Sequence, residues 1–189
     1  MRSERAILGI CGAPGAGKST LAELLVADLG PAAVYLGMDG FHLAQVELDR
    51  LGRTDRKGAP DTFDAAGYVN LLSRLHARPD EVVYAPVFRR DLEEPIACAV
   101  PVPPEVRLVV TEGNYLLLPD PPWNAVRPLL TESWFLAPDE DERRTRLRAR
   151  HESFGRTPEE ATHRTLGSDE RNAALVHTTR DYADLVITT

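Results

Sequence analysis

The octet Gly12-Ala13-Pro14-Gly15-Ala16-Gly17-Lys18-Ser19 constrains this chain more than any other stretch. It satisfies G-x-x-x-x-G-K-[ST], a phosphate-binding loop pattern, and its flanks suit it. The apolar run Ala6-Ile7-Leu8-Gly9-Ile10-Cys11 before it reads as a buried strand. A helical pattern begins at Thr20, with Leu21, Leu24, Leu25 and Leu29 expected on one apolar face. In this order the glycines let backbone N–H groups turn inward around a phosphate, and the helix N-terminus adds its dipole. Lys18 can then reach the β and γ oxygens, and the Ser19 hydroxyl can ligate Mg²⁺. Gly12 through Thr20 are therefore candidate contacts for a nucleoside triphosphate, with ATP and Mg²⁺ as the expected cofactors.

Length and charge narrow what such a site can serve. At 189 residues the chain suits one domain with a real core. A net charge of −7 gives no electrostatic support for a nucleic-acid partner, so arginine clusters need a smaller anion to explain them. Cys11 and Cys98 provide neither a disulfide framework nor metal-ligand spacing. No secretory pattern precedes the first strand, and no apolar stretch approaches the length of a membrane span, so a cytoplasmic location is expected.

Five apolar runs, Ala6–Cys11, Ala33–Gly37, Val106–Thr111, Ser133–Ala137 and Asp184–Thr188, alternate with segments of helical period. That alternation predicts an α/β fold: a five-stranded parallel sheet with helices on both faces. Gly30-Pro31 is expected to end the first helix with a left-handed glycine cap. Asp64 reads as the cap of a helix carrying Tyr68, Leu71, Leu72 and Leu75 on one face. Asp139 with Glu142, and Thr157 with Glu160, have capping-box spacing. Residues 1–189 are read as a single domain with a small helical lid at about 143–168. Two insertions, about 42–63 and 79–104, are expected to cover a substrate.

Ligands of parallel sheets gather at the carboxyl ends of the strands. Asp39 follows the second apolar run, where it can face a γ-phosphate as a base; an ordinary turn aspartate before glycine is the other reading. Glu112 closes the third run in a Walker-B position and is the second candidate Mg²⁺ ligand beside Ser19. Arg143, Arg144, Arg146, Arg148, Arg150 and Arg156 crowd the stretch after the fourth run. About half of these suit a solvated charged helix, whereas Arg150 and Arg156, around the hinge glycine Gly155, suit a mobile lid that stabilises a transferring phosphoryl group. Arg50, Arg53, Arg56 and Lys57 form a second basic group, and Arg89-Arg90 a third, both candidates for a polar or anionic substrate. His42 reads either as a hydrogen-bonded loop histidine or as a substrate contact.

Taken together, Gly12–Ser19, Met38-Asp39-Gly40-Phe41-His42, Arg56–Asp64, Pro86-Val87-Phe88, Thr111–Leu117 and Tyr182–Ile187 resemble the P-loop kinase superfamily of uridine kinase, type I pantothenate kinase and phosphoribulokinase. The nearest likeness is to a bacterial nucleoside/nucleotide kinase-like subgroup, also labelled fructose transport system kinase. The resemblance implies a P-loop NTPase fold with a lid and transfer of the γ-phosphoryl of ATP to a hydroxyl of a small polar metabolite. It implies Asp39 as catalytic base, and Lys18, Arg150 and Arg156 as charge stabilisers. It places Arg56, Lys57, Asp61 and Phe63 in one acceptor-binding loop and Phe88 to Arg90 in a second, with Glu112 near Mg²⁺ and the acceptor hydroxyl; Asp39, His42 and Asn114 complete the candidate acceptor contacts. A homodimer is an expectation carried by the resemblance alone. Where uridine and pantothenate kinases have a histidine after the Pro-x-Tyr/Phe position, this chain has Phe88-Arg89-Arg90-Asp91, which departs from both substrates' signatures. A phosphorylated acceptor such as a nucleoside monophosphate, and a nucleotide-dependent regulatory switch, are the alternative readings.

Overall fold

A computed structural model describes residues 5–77 and 80–188. Its elements in chain order are β1 (Ala6–Gly12), α1 (Lys18–Leu29), β2 (Ala33–Gly37), α2 (Gln45–Leu51), α3 (Ala65–His76), β3 (Val83–Arg89), β4 (Glu94–Val102), β5 (Leu108–Gly113), β6 (Glu132–Ala137), α4 (Glu140–Ser153), α5 (Pro158–Arg164), α6 (Glu170–His177) and β7 (Leu185–Thr188). A π-helical segment, Thr165–Asp169, joins α5 to α6. Pro79, the first residue assigned to the second insertion, lies outside the described residues, as do residues 1–4.

The expected parallel sheet is present, with strand order β2-β5-β1-β6-β7. β1 is its centre: Ile7 pairs with Val109 of β5 on one side, and Gly9 with Ser133 of β6 on the other. Pleating sends alternate β1 side chains to opposite faces. Ile7 and Cys11 join the core beneath α3, while Leu8 and Ile10 join the core beneath α1. Burial on both faces is why β1 reads as continuously apolar rather than alternating. From β1 the chain crosses to one side for β2 and later to the other for β6. The loop after β1 therefore opens into the crevice where the winding reverses.

Three expectations change. Of the four leucines expected on the apolar face of α1, Leu21 and Leu25 pack inward, whereas Leu24 and Leu29 are 64% and 48% exposed. The inward stripe is Ala22 with Leu21, Leu25 and Val26. Gly30 has the positive φ expected of a cap (63°), but its ψ of −147° lies outside the left-handed helical basin. The proline-rich insertion is also more ordered than its short strand-like pieces suggest: β3 and β4 form an antiparallel hairpin, and α2 folds within the first insertion. Asp64 caps α3 by accepting from the Gly67 amide at 2.8 Å. Thr157 and Glu160 complete a reciprocal capping box, whereas Asp139 caps α4 with its own carboxylate.

Candidate functional site

The β1–α1 loop is built by close approach. Gly15, at φ 85°, lies so near α4 that an added Cβ would stand 2.8 Å from the Arg143 carbonyl. Gly17 is left-handed (φ 92°) at the N-cap of α1, which turns the first amides of the helix toward the crevice. Lys18 is buried, its ammonium donating to the Ala13 carbonyl at 3.1 Å and to Asn114 Oδ1 at 2.8 Å. Burial draws the Lys18 pKa down, with Glu112 as the main opposing charge. Ser19 and Thr20 lie exposed in the first turn of α1.

Glu112, near the carboxyl end of β5, is buried beside that turn. Its Oε1 accepts from the Ser19 hydroxyl at 3.1 Å and from the Tyr35 hydroxyl at 2.8 Å. Burial pushes its pKa up, against the pull of Lys18. A hydroxyl and a carboxylate side by side are hard oxygen donors of the kind Mg²⁺ takes.

Asp39 sits in the turn Met38–Phe41 that follows β2. The turn is pressed onto the β3–β4 hairpin at Gly40, where a Cβ would come within 2.8 Å of the Pro86 carbonyl. That contact carries Arg90 to Asp39, and the two form an ion pair. Burial alone would raise the Asp39 pKa, but the positive charges of His42, Arg90, Lys18 and Arg150 outweigh it and hold the carboxyl below the usual range. Asp39, Arg90, Ser19 and Glu112 line one cavity. The His42 ring donates from Nδ1 to the Asp39 carbonyl (2.9 Å) and stacks between Phe63 (4.0 Å) and Phe88 (4.8 Å), making an apolar wall beside the carboxylate. Burial lowers its pKa, against the opposing pull of the Asp39 carboxylate.

The arginine-rich helix divides by contact. Arg143 is fully buried: it donates to the Pro14 carbonyl at 2.9 Å and pairs with Glu140 and Glu170. It braces the loop backbone, a role that the count of arginines did not single out. Arg144, Arg146 and Arg148 pair with acids on the surface. Arg150 lines the cleft, and its charge is coupled to those of Asp39 and Arg90. Arg156 reaches the cleft as the end of a chain, donating to His151 Nδ1 at 3.0 Å, while His151 Nε2 donates to Asp169 at 2.7 Å.

The loop expected to contact the acceptor also sorts itself. Lys57, Phe63, Phe88, Arg90 and Asn114 line an open cleft together with Asp39 and His42. Arg56 does not: it forms a paired-donor contact with Asp61, which Arg53 also meets. Arg89 likewise turns to Asp91. Sequence reasoning missed Arg164 and Asn172, which bond the carbonyls of Lys57 (3.3 Å) and Gly58 (3.2 Å) and so fasten α5 and α6 to the loop that carries them. It also missed Tyr35, on which β-strand alternation alone confers no function.

No protein-family model matches the chain. It is 34% identical to a provisionally named uridine kinase of Schizosaccharomyces pombe, over 97% of this chain and 83% of that protein. It is 37% identical to an ATP-dependent kinase-like protein of Aspergillus versicolor, over 72% of this chain and 84% of that one. Among solved structures, a provisionally named fructose transport system kinase from Silicibacter sp. TM1040 superposes with a TM-score of 0.89 at 37% identity, covering 98% of this chain and 91% of that one.

Proposed function

Since the chain belongs to the P-loop kinase superfamily of uridine kinase, pantothenate kinase and phosphoribulokinase, we propose a division of labour for the residues around its cleft. The protein is an ATP-dependent kinase that phosphorylates a small metabolite. Lys18 and the first amides of α1 hold the β and γ phosphates. Ser19 and Glu112 are the residues that would hold Mg²⁺, which would supply neutralisation of the phosphates' negative charge. Asp39, kept ionised by its cationic neighbours, accepts the proton of the acceptor hydroxyl as that oxygen bonds to the γ-phosphorus and the bond to ADP breaks. Arg150 supports the charge on the phosphoryl group in flight, and Arg156, fixed through His151, stands behind it.

The observation that carries this reading is the shared cavity of Ser19, Glu112 and Asp39, in which a depressed carboxylate faces the phosphate-holding turn. The lid is α4 through the π-helical segment, and the covering pieces are α2 with its following loop and the β3–β4 hairpin. No helix of the described residues is long and apolar enough to cross a membrane, and cytoplasmic work on a dissolved acceptor fits that. ADP release from Mg·ATP, measured across sugars, hydroxy acids, nucleosides and their phosphates, tests the assignment. One acceptor must stimulate the wild type strongly, and Asp39→Asn must remove about 10²–10⁴-fold of that turnover. Full turnover by the variant would displace Asp39 as the base.

A further inference from the structure

We infer that the acceptor is a hydroxylated anion, bearing a phosphate or carboxylate that Lys57 and Arg164 bind at the lid side of the cleft; this deepens the kinase reading and rests on it. Lys57, Arg90, Arg150, Arg156 and Arg164 line the cleft, with Asp39, Glu93 and Asp169 as the carboxylates beside them. This excess of cations stands in a chain whose net charge is −7. Outside the cleft, neighbouring arginines are matched by acids: Arg53 and Arg56 by Asp61, Arg89 by Asp91, Arg144 by Glu170.

Inside it the pattern changes. Arg90 is taken by Asp39, and Arg150 lies with that pair. The other three bond neutral acceptors. Lys57 donates to Gln45 Oε1 at 3.3 Å and to the Glu93 carbonyl at 2.9 Å. Arg164 donates to the Lys57 carbonyl, and Arg156 to the His151 ring. These contacts position the cations without cancelling their charge. Concentrating uncancelled cations in a concave, partly desolvated site is favourable only toward an anion.

The wall between the two groups fits the same molecule. Phe88 has Arg90 4.8 Å and Lys57 5.6 Å from its ring centre, so an acceptor with its hydroxyl at Asp39 and its body along Phe88 brings its far end to Lys57. Because Arg164 and Asn172 hold the Lys57-Gly58 backbone, an anion gripped there also ties α5 and α6 to the acceptor loop. Recognition of charge and closure over the reacting groups then become one event. A neutral nucleoside or free sugar would leave these cations unmatched.

The test titrates D-ribose, D-ribonate, D-ribose 5-phosphate and inorganic phosphate calorimetrically into the full-length protein saturated with Mg²⁺ and a non-hydrolysable ATP analogue. The analogue fills the γ-phosphate position, so an added anion cannot bind there. Inorganic phosphate and at least one ribose anion should bind about tenfold or more tightly than ribose, and the tighter of the two names phosphate or carboxylate. Lys57→Gln and Arg164→Gln should each weaken that anion by about tenfold, and Lys57→Arg should restore most of it. Unchanged affinity for the analogue reports that each variant is folded. Ribose binding as tightly as its anions, or anion affinity indifferent to both Gln variants, overturns the proposal while leaving the kinase standing. Failure of the wild type to bind the analogue overturns the kinase reading and this proposal with it.

Discussion

Arg90, on the β3–β4 hairpin, is ion-paired with Asp39, which lies 51 residues earlier at the end of β2. The base assigned to phosphoryl transfer is thus supplied by one element and charge-tuned by another, and the tuning has a sign. Asp39 is held below the ordinary carboxylate range, so it is ionised over the whole neutral region. The stability it contributes is present above the unfolded-state pKa of about 3.9 and is lost as pH falls through the lower folded value. Replacing Arg90 with Gln removes a main opposing charge while burial remains. The acid limb of kcat/KM should therefore move to higher pH, with a stability loss within about 1 kcal/mol because both partners are partly exposed. A pH–rate profile of Arg90→Gln that overlies the wild type would show that the pair does not set the base.

Arg143 makes the second case, in which a cation serves the backbone rather than a substrate. It is fully buried, with one guanidinium nitrogen on the Pro14 carbonyl and another shared by Glu140 and Glu170. Breaking a buried pair from one side costs about 3–5 kcal/mol; with Glu140 and Glu170 themselves 38% and 35% exposed, about 2 kcal/mol is expected for Arg143→Ala. Lysine should not rescue it, since one ammonium cannot reproduce the planar fork. Denaturant unfolding gives the stability change. The KM for ATP should rise as well, because the loop it braces is the one that holds phosphate.

Tyr35 is predicted to act through Glu112. Its hydroxyl donates to the oxygen that also accepts from Ser19, fixing the carboxylate beside the turn that carries the phosphates. Outer partners of this kind typically alter metal affinity 10–100-fold. Tyr35→Phe should raise the Mg²⁺ concentration needed for half-maximal turnover by about tenfold, and should do the same for Mg²⁺-dependent nucleotide binding measured without turnover. The loss of the hydrogen bond itself should cost about 1 kcal/mol of stability. An unaltered Mg²⁺ requirement would make Tyr35 a packing residue only.

Much of this was legible in the chain because it is local. A continuously apolar β1 leading into a glycine loop can be read without a neighbour in view, and so can Asp39 and Glu112 at strand ends. What escaped depends on pairs distant in sequence. Nothing in Arg164 indicates that it reaches the Lys57 carbonyl, 107 residues away, and nothing in Arg143 separates it from Arg144 until a loop 129 residues earlier packs on it. Arg56 was indistinguishable from Lys57 by composition, yet Asp61 captures only the former. Helical periodicity placed Leu21 and Leu25 of α1 inward correctly but also counted Leu24 and Leu29, which the fold leaves exposed.

Lys18 gives a prediction in which stability and function part. A lysine whose folded pKa lies below its unfolded value weakens the fold wherever the amine is charged. That penalty is greatest below the folded pKa and fades as pH climbs from there toward about 10.4. Lys18→Met keeps the stem and removes the buried charge. Glu112 loses an attractive partner but retains the Ser19 and Tyr35 hydroxyls as donors. Lys18→Met should therefore melt at or above the wild-type temperature near pH 7, while kcat falls by about 10²–10³-fold for want of the cation on the transferring group. The same comparison at pH 10 should show the melting-temperature advantage shrinking, because the wild-type amine is then losing its proton. A variant that melts several degrees lower at pH 7 would mean that the Lys18 charge holds the loop together through Ala13 and Asn114 more strongly than its burial opposes it.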